Sequence, residues 1–499
     1  MSANAPLKRI LNLSRWCPHK STKKLYTIMR AFQIKTAAFA LLLGLAGCKV
    51  SKDVATPATQ LPGQFRSSES TDTTSIASLP WKSFFADPVL QRLIDSAIVH
   101  NYDMQVALQN IKSAQLTLGQ AKLGYWPDIT LQVTANLTRP GSESLNGITA
   151  NDFLHSKYLN DYNANVGLTW EADIWGKIKN KQSMALAQYL QTAEAKKLLQ
   201  TNIVSGVAEG YYNLLMLDAQ LGIARSNLAL NDSTLRIIRL QYTAGEVTAL
   251  GVQQAEAQEL TAAELIPQFE QSILLQENAL SILAGSLPDA IDRGSKTLDE
   301  VQVRDALSGG VPAELLSRRP DVRSSELALT VANANVGINK AALYPTIIIS
   351  PEGGWDNYLL KNWFNIPGSV FGAVVGGLTT PVFQRKKLRT AYRVAEVDRE
   401  KTVIQFKQSV LTAVGEVSDA MGKISKLREQ RVVVTNRVDT LQLAIVNANS
   451  LFRNGLANYL EVITAQSNVL QSQLELASIK KGQLSAEVEL YRSLGGGWN

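Results

Sequence analysis

The sequence predicts a mainly α-helical protein with very long helices and four membrane-type β-strands, built from two similar halves. Residues 174–242 and 383–453 are rich in helix-forming side chains and contain no proline. Segments at about 128–140 and 162–171 alternate apolar and polar side chains, as strands between lipid and water do. Matching motifs recur in the same order at a spacing of about 210 residues, which indicates an internal duplication.

The N-terminus has the layout of an export signal. Residues 36–47 form an apolar run that follows Arg30 and Lys35. This run is too short to cross a bilayer as a helix. The sequence LAGC at 45–48 resembles the bacterial lipoprotein signal, whose cysteine is lipidated and becomes the first residue. We therefore predict lipidation at Cys48; the alternative is a free cysteine behind a conventional signal.

Cleavage of the chain before Cys48 would define its first two segments. Residues 1–47 are predicted to be the signal peptide, with Met29 as an alternative start. Residues 48–79 are rich in Ser, Thr, Pro and Gln, a composition typical of a tether rather than a fold.

Composition excludes several classes of function. Eight of the 50 basic residues and none of the 43 acidic ones precede Cys48, so the remaining chain has a net charge of −1 and does not favour nucleic-acid binding. Only two cysteines and three histidines are present. No metal-binding or phosphate-binding motif occurs, so we expect no catalytic residue, no metal site and no cofactor.

The two halves follow one order of elements. We predict a first repeat over 80–284, a linker over 285–311, a second repeat over 312–494 and a short tail over 495–499. Each repeat begins with a helix, 88–123 or 320–343, that ends at an aromatic-proline step. Two strands, a long helix, a glycine-marked turn and a return helix follow.

The long helices are predicted to form a column with their shorter partners. At 1.5 Å per residue, about 70 residues span roughly 105 Å, which implies a coiled or tubular assembly. The return helices, about 248–284 and 458–494, cover only half of that length. The helices 88–123 and 320–343 are the natural candidates to complete it.

The strands of the first repeat are the clearest. Residues 128–138 and 162–171 alternate without error, typical of a transmembrane barrel strand; the alternative is a half-buried strand in a soluble sandwich. The second pair, about 346–355 and 370–380, is less regular. Five tryptophans in or beside the strands fit interfacial girdles: Trp126, Trp170, Trp175, Trp355 and Trp363.

Four strands cannot close a membrane barrel, for which about eight is the minimum. An open sheet in lipid would leave its edge groups without hydrogen bonds. Closure must therefore come from several copies, and three would supply 12 strands.

Several stretches together are similar to the TolC-like outer-membrane efflux proteins, specifically their lipoprotein (OprM/NodT-like) branch. They are LAGC at 45–48, WKSFFADP at 81–88, DIWGK at 173–177, LLSRRPDV at 315–322 and the two glycine turns. The resemblance covers essentially the whole chain after the signal. It implies a homotrimer with a 12-stranded outer-membrane barrel and a helical periplasmic tunnel. It also implies a passive, lipid-anchored duct that works with a periplasmic adaptor and an inner-membrane pump.

The resemblance assigns roles to the two turns. The tips that would meet the adaptor are Thr243, Ala244, Gly245, Glu246, Val247 and Thr248, and Asn454, Gly455, Leu456, Ala457 and Asn458. Related proteins carry an acidic pair at the positions of Glu461 and Thr464, where it rings the closed entrance. Only one carboxylate is kept here, so the alternative is an ordinary solvated glutamate.

Two other functions remain open at this point. Type I protein secretion uses the same kind of duct as small-molecule efflux, and a lipid-anchored periplasmic coiled coil would also contain long helices.

Arg318, Arg319 and Asp321 resemble a catalytic group, but we expect Pro320 to begin a helix with Asp321 in its first turn.

Overall fold

The computed structural model describes residues 62–66, 75–294, 296–304 and 310–499. Cys48, the signal peptide and most of the predicted tether lie outside the described residues. Within the described residues, the principal elements are seven helices and four strands. In chain order they are α1 Pro88–His100, α2 Tyr102–Lys122, β1 Asp128–Thr138, β2 Leu159–Ala172, α3 Lys177–Thr243, α4 Ala249–Leu283, α5 Pro320–Ala341, β3 Thr346–Asn357, β4 Val370–Thr379, α6 Lys387–Arg453 and α7 Tyr459–Ser493.

The strands form one antiparallel sheet in the order β1-β2-β3-β4. Its register pairs Asp128 with Thr169, Trp170 with Ile349 and Thr346 with Thr379. The helix-connected ends of all four strands therefore lie at one end of the sheet. A short helix, Leu145–Asp152, lies in the loop that joins β1 to β2 at the other end.

Both long helices have 67 residues, about 100 Å at the normal helical rise. Helix α3 packs against α2 and α5 and, further along, against α4 and α7. Helix α6 packs against α5 and α7. The main core lies where α1, α3, α4 and α7 meet, around Tyr211, Leu214 and Tyr491.

The helix expected over 88–123 is instead two helices that meet at Asn101. The Asn101 Oδ1 accepts a hydrogen bond from the Met104 N–H at 3.1 Å, which caps α2. Its Nδ2 donates to the carbonyl oxygen of Leu283 at 3.0 Å. Asparagine therefore begins α2 and attaches it to the end of α4.

The second half has an equivalent joint, a contact between the start of one helix and the end of the return helix, but it uses a different side chain. Arg319 precedes α5, and its Nη1 donates to the carbonyl oxygen of Ser493 at the end of α7 at 3.0 Å. In both halves a glycine with positive φ follows the return helix, Gly285 at 74° and Gly495 at 88°. The shorter helices thus stack end to end, α4 on α2 and α7 on α5, alongside the long ones.

Candidate functional site

The two helical hairpins end in turns of the same geometry. Gly245 and Gly455 have φ of 81° and 70°, a conformation that glycine adopts without a steric cost. The Glu246 N–H donates to the Gln241 carbonyl, and the Leu456 N–H donates to the Leu451 carbonyl, both at 2.9 Å. These six-to-one bonds are Schellman caps, so each glycine ends a long helix and reverses the chain.

The two tips pack against each other through a small apolar core. Its buried members are Leu235, Ile238, Ala255, Phe452 and Val462. The Tyr459 hydroxyl donates to Gln254 Oε1 at 2.7 Å, which joins α7 to α4. The hairpins of the two halves therefore end at the same level, as one surface.

Most predicted tip residues are exposed on that surface; Val247 and Ala457 are half-buried against the small core. Asn458 Oδ1 accepts hydrogen bonds from the N–H groups of Leu460 and Glu461, which begins α7. Glu461 and Thr464 are both exposed, one helical turn apart on the same face. A single chain does not bring copies of Glu461 together, so its role at an entrance stays a prediction.

At the opposite end of the molecule, the sheet exposes an apolar face. Ile129, Leu131, Val133 and Leu137 of β1 are between 61 and 72% exposed, and Val374 and Leu378 of β4 continue this surface. An exposed apolar surface of this extent indicates contact with lipid or with another chain. The outer edges of β1 and β4 have no strand partner within the described chain.

The other face of the sheet is polar and acidic. Asp128, Asp161, Glu171, Glu352 and Asp356 all lie on it, according to the strand register, and the four strands contain no Lys, Arg or His. Glu171 forms an ion pair with Lys177 at 2.9 Å. This face is suited to water and not to lipid.

The predicted interfacial aromatics occupy both ends of the sheet. Trp126 is 73% exposed, Trp170 donates from Nε1 to the Tyr125 carbonyl, and Trp175 stacks on Tyr344 at a ring distance of 4.8 Å; these lie at the helix-connected end. Trp355 and Trp363 lie at the other end, where both contact Phe364. Their role at a membrane interface stays a prediction.

Sequence reasoning missed the role of Arg319. This side chain is 7% exposed and donates to both oxygens of Asp321, to Glu416 Oε2 on α6 and to the Ser493 carbonyl. Pro320 does begin α5 as expected. The Asp321 carboxylate, however, interacts mainly with the Arg319 guanidinium and not with the helix dipole. Two of the partners of Arg319, Glu416 and Ser493, are 97 and 174 residues away, which no local motif reveals.

The Arg319 contacts predict a defined pH dependence. Burial alone opposes ionisation of Asp321, but hydrogen bonds and charge from Arg319, with a backbone bond at Val322, hold the pKa of Asp321 below its usual value. A depressed pKa contributes stability that is present above the unfolded pKa, about 3.9, and is lost as pH falls through the folded pKa. The difference in free energy of unfolding between wild type and Asp321→Asn should therefore be constant at neutral pH and shrink below about pH 4, measured by urea denaturation across pH. A gap that stays constant to pH 2 would contradict this.

Among the described residues, no cluster of His, Cys, Asp or Glu is arranged to hold a metal ion. No described helix is both long and apolar enough to cross a bilayer.

The fold and these surfaces define a class of protein: two helices about 100 Å long end in paired hairpins, and their other ends are joined to a sheet with one apolar and one acidic face. The family model for outer membrane efflux proteins matches residues 93–286 and 311–496. The chain belongs to this family and is an outer-membrane efflux protein.

Individual relatives agree with this assignment. The chain is 30% identical over 477 residues to the toluene efflux pump outer membrane protein TtgF of Pseudomonas putida, across 93% of this chain and 96% of the relative. It is 27% identical over 470 residues to the cation efflux system protein CusC of Escherichia coli, across 93 and 99%. The fold is similar to that of the outer-membrane channel OprN, with a TM-score of 0.82 and 24% identity over 90% of this chain and all of that one.

Proposed function

We propose that this protein is the passive outer-membrane duct of a tripartite efflux system and closes as a homotrimer. The observation that carries the proposal is the four-stranded sheet, which has an exposed apolar face and unpaired edges at β1 and β4. Lipid does not tolerate unpaired strand edges. Joining β4 of one copy to β1 of the next removes every edge, and three copies give a 12-stranded barrel.

The barrel and the helices would then form one continuous conduit. With the apolar face in lipid, the acidic face lines a water-filled lumen. The long helices continue from the same end of the sheet and would cross the periplasm as a tunnel. Lipidation at Cys48 would anchor each protomer in the outer membrane.

The tips are proposed to be the contact for a periplasmic adaptor, which links the duct to an inner-membrane pump. Both hairpins present their turns together, with exposed apolar side chains at Leu250, Leu456 and Leu460. Exposed apolar patches of this kind mark interaction sites. We propose small molecules as cargo, because the names of the relatives TtgF and CusC specify toluene efflux and cation efflux for those proteins. No enzymatic activity or cofactor is proposed.

Planar-bilayer recording of the purified full-length chain tests the proposal. We expect the protein to require detergent, to migrate as a heat-labile trimer and to conduct ions after reconstitution. A monomer that stays soluble without detergent and gives no conductance would overturn it.

Glu461 is expected to bias the entrance toward cations. Three copies of its carboxylate around a threefold axis would attract cations and repel anions. Glu461→Gln should therefore lower the cation-to-anion permeability ratio, read from the reversal potential in a salt gradient. Glu400→Gln, an exposed carboxylate on α6, is the matched control and should leave the ratio unchanged. Equal ratios in wild type and Glu461→Gln would show that this carboxylate is an ordinary solvated one.

A further inference from the structure

We propose that a basic segment at the start of α6 binds the phosphate groups of anionic phospholipids in the leaflet on the helical side of the membrane. We call Arg385, Lys386, Lys387, Arg389 and Arg393 the basic belt. This inference rests on the proposed function, because it requires the sheet to lie in a bilayer.

The belt concentrates positive charge, most of which the chain itself does not neutralise. Residues 385–393 contain five cationic side chains and no acidic one, and all five are exposed. Arg393 forms an ion pair with Glu396 at 3.2 Å. Within the described chain, the other four have no ion pair within 4 Å. Unneutralised cations at a membrane surface attract anionic lipid.

The position of the belt matches the depth of lipid phosphates. It begins six residues after β4 ends, and the last strand pair, Thr346 with Thr379, lies at the helix-connected end of the sheet. The exposed aromatics of that end, including Trp126, mark the membrane interface. Val382 and Phe383, separated from the belt by Gln384 alone, are 95 and 84% exposed. Two apolar side chains followed by cations match the order of a phospholipid, in which the acyl chains are followed by the phosphate group.

An open groove at this place has the same mixed character. It has a volume of about 490 Å³, and its lining includes Val382, Phe383, Lys386, Lys387 and Arg389. The apolar side chains can contact the upper part of an acyl chain while the cations contact the phosphate. The groove thus fits an amphiphile better than a free anion.

The backbone conformation before α6 also differs in residue type from the matching position in the first half. Arg385 and Lys386 have φ of 50° and 62°, a left-handed conformation that disfavours residues with a side chain. At the matching position before α3, the first half has Gly176 with φ of 72°. The second half therefore keeps cationic side chains at an energetic cost that glycine would avoid.

A second copy of this chain is a poorer partner for the belt. The other helix and strand ends at the same level contribute five lysines (Lys122, Lys177, Lys179, Lys181 and Lys340) against three acidic residues (Asp128, Glu171 and Asp173), so a neighbouring protomer presents mainly like charge. The loops at the opposite end of the sheet, 139–158 and 358–369, together carry three basic and two acidic residues. The excess of positive charge therefore belongs to one leaflet.

Lipid enrichment around the reconstituted full-length protein tests the inference. Three proteins are placed in vesicles of phosphatidylcholine and phosphatidylglycerol. They are the wild type, a belt variant with Arg385, Lys387 and Arg389 changed to Gln, and a control variant with Lys112, Lys401 and Lys407 changed to Gln. The protein is then extracted into polymer nanodiscs, and the retained lipids are quantified. The control residues are exposed cations on α2 and α6, away from the sheet.

We expect wild type and control to enrich phosphatidylglycerol over the bulk ratio by at least about fivefold, the factor for one surface cation, and added salt to reduce it. The belt variant, which keeps Lys386 and Arg393, should lose most of this enrichment while keeping its heat-labile trimer. Equal enrichment in the belt variant would overturn the inference, and so would no enrichment in wild type, as expected if the belt contacts only a second copy. Failure of all three proteins to float with the vesicles would instead contradict the proposed function.

Discussion

Changing Arg319 to alanine should lower the free energy of unfolding by about 3–5 kcal/mol. The guanidinium is almost fully buried and connects Asp321, Glu416 and the carbonyl oxygen of Ser493. Its removal leaves two carboxylates and a helix-end carbonyl without their donor, which costs more than the pair contributes when intact. Lysine should not restore stability, because one ammonium cannot reproduce the bidentate contact with Asp321 while reaching the others.

The adjacent Arg318 provides the control for this experiment. Its side chain is 33% exposed and pairs with Glu314 within one helical turn, a contact worth about 0.3–0.5 kcal/mol. Urea denaturation in detergent, followed by circular dichroism, should separate the two variants clearly. Similar, small effects of Arg318→Ala and Arg319→Ala would show that the joint between α5 and α7 does not depend on the buried guanidinium.

Gly354→Ala is expected to disrupt the sheet. A Cβ at this position would lie 2.0 Å from the carbonyl oxygen of Ala164 and 2.6 Å from the Cα of Asn165. Both contacts are with backbone of the neighbouring strand β2, so a side-chain rotation cannot relieve them. The strands must separate locally, at a cost of about 3 kcal/mol, the upper part of the range for overpacking. We expect loss of the heat-labile trimer band and of conductance.

Gly377→Ala is the matched control on β4. Gly377 lies on the same polar face as Gly354. Glu352 of this face pairs with Ala373, and Gly377 is four strand positions further along β4, so both positions face the same side. Nothing lies within 4 Å of a Cβ built at Gly377. Gly377→Ala should keep both the trimer and its conductance, and an equal loss in both variants would show that the effect is not steric contact with β2.

Local patterns predicted most of the elements. The absence of proline over 174–242 and 383–453 indicated the long helices, which the structure gives as Lys177–Thr243 and Lys387–Arg453. Strict alternation indicated β1 and β2, although β2 begins at Leu159, three residues earlier than expected. The glycines at the tips were recognisable because a helix end requires a positive φ there.

What the sequence did not reveal depends on residues distant in the chain. The break at Asn101 lies in a continuous helical pattern, and its reason, the contact with Leu283, is 182 residues away. The equivalent contact of Arg319 uses another side chain type in the second half, so comparison of the repeats does not find it. The packing of the two tips around Phe452 and Val462 also depends on tertiary structure alone.

The most direct test of the central claim is disulfide crosslinking between β1 and β4. These strands are the two opposite edges of the sheet within one chain, so a bond between them joins different copies. Cysteine at Thr134 is combined in turn with cysteine at Ala373, Val375 or Gly377, which samples the register between copies on the polar face. A closed trimeric barrel predicts that one pair gives, on oxidation in the membrane, a covalent product of three chains and no larger species, reversed by reductant. Monomers alone for every pair, or a ladder that continues beyond three chains, would contradict it.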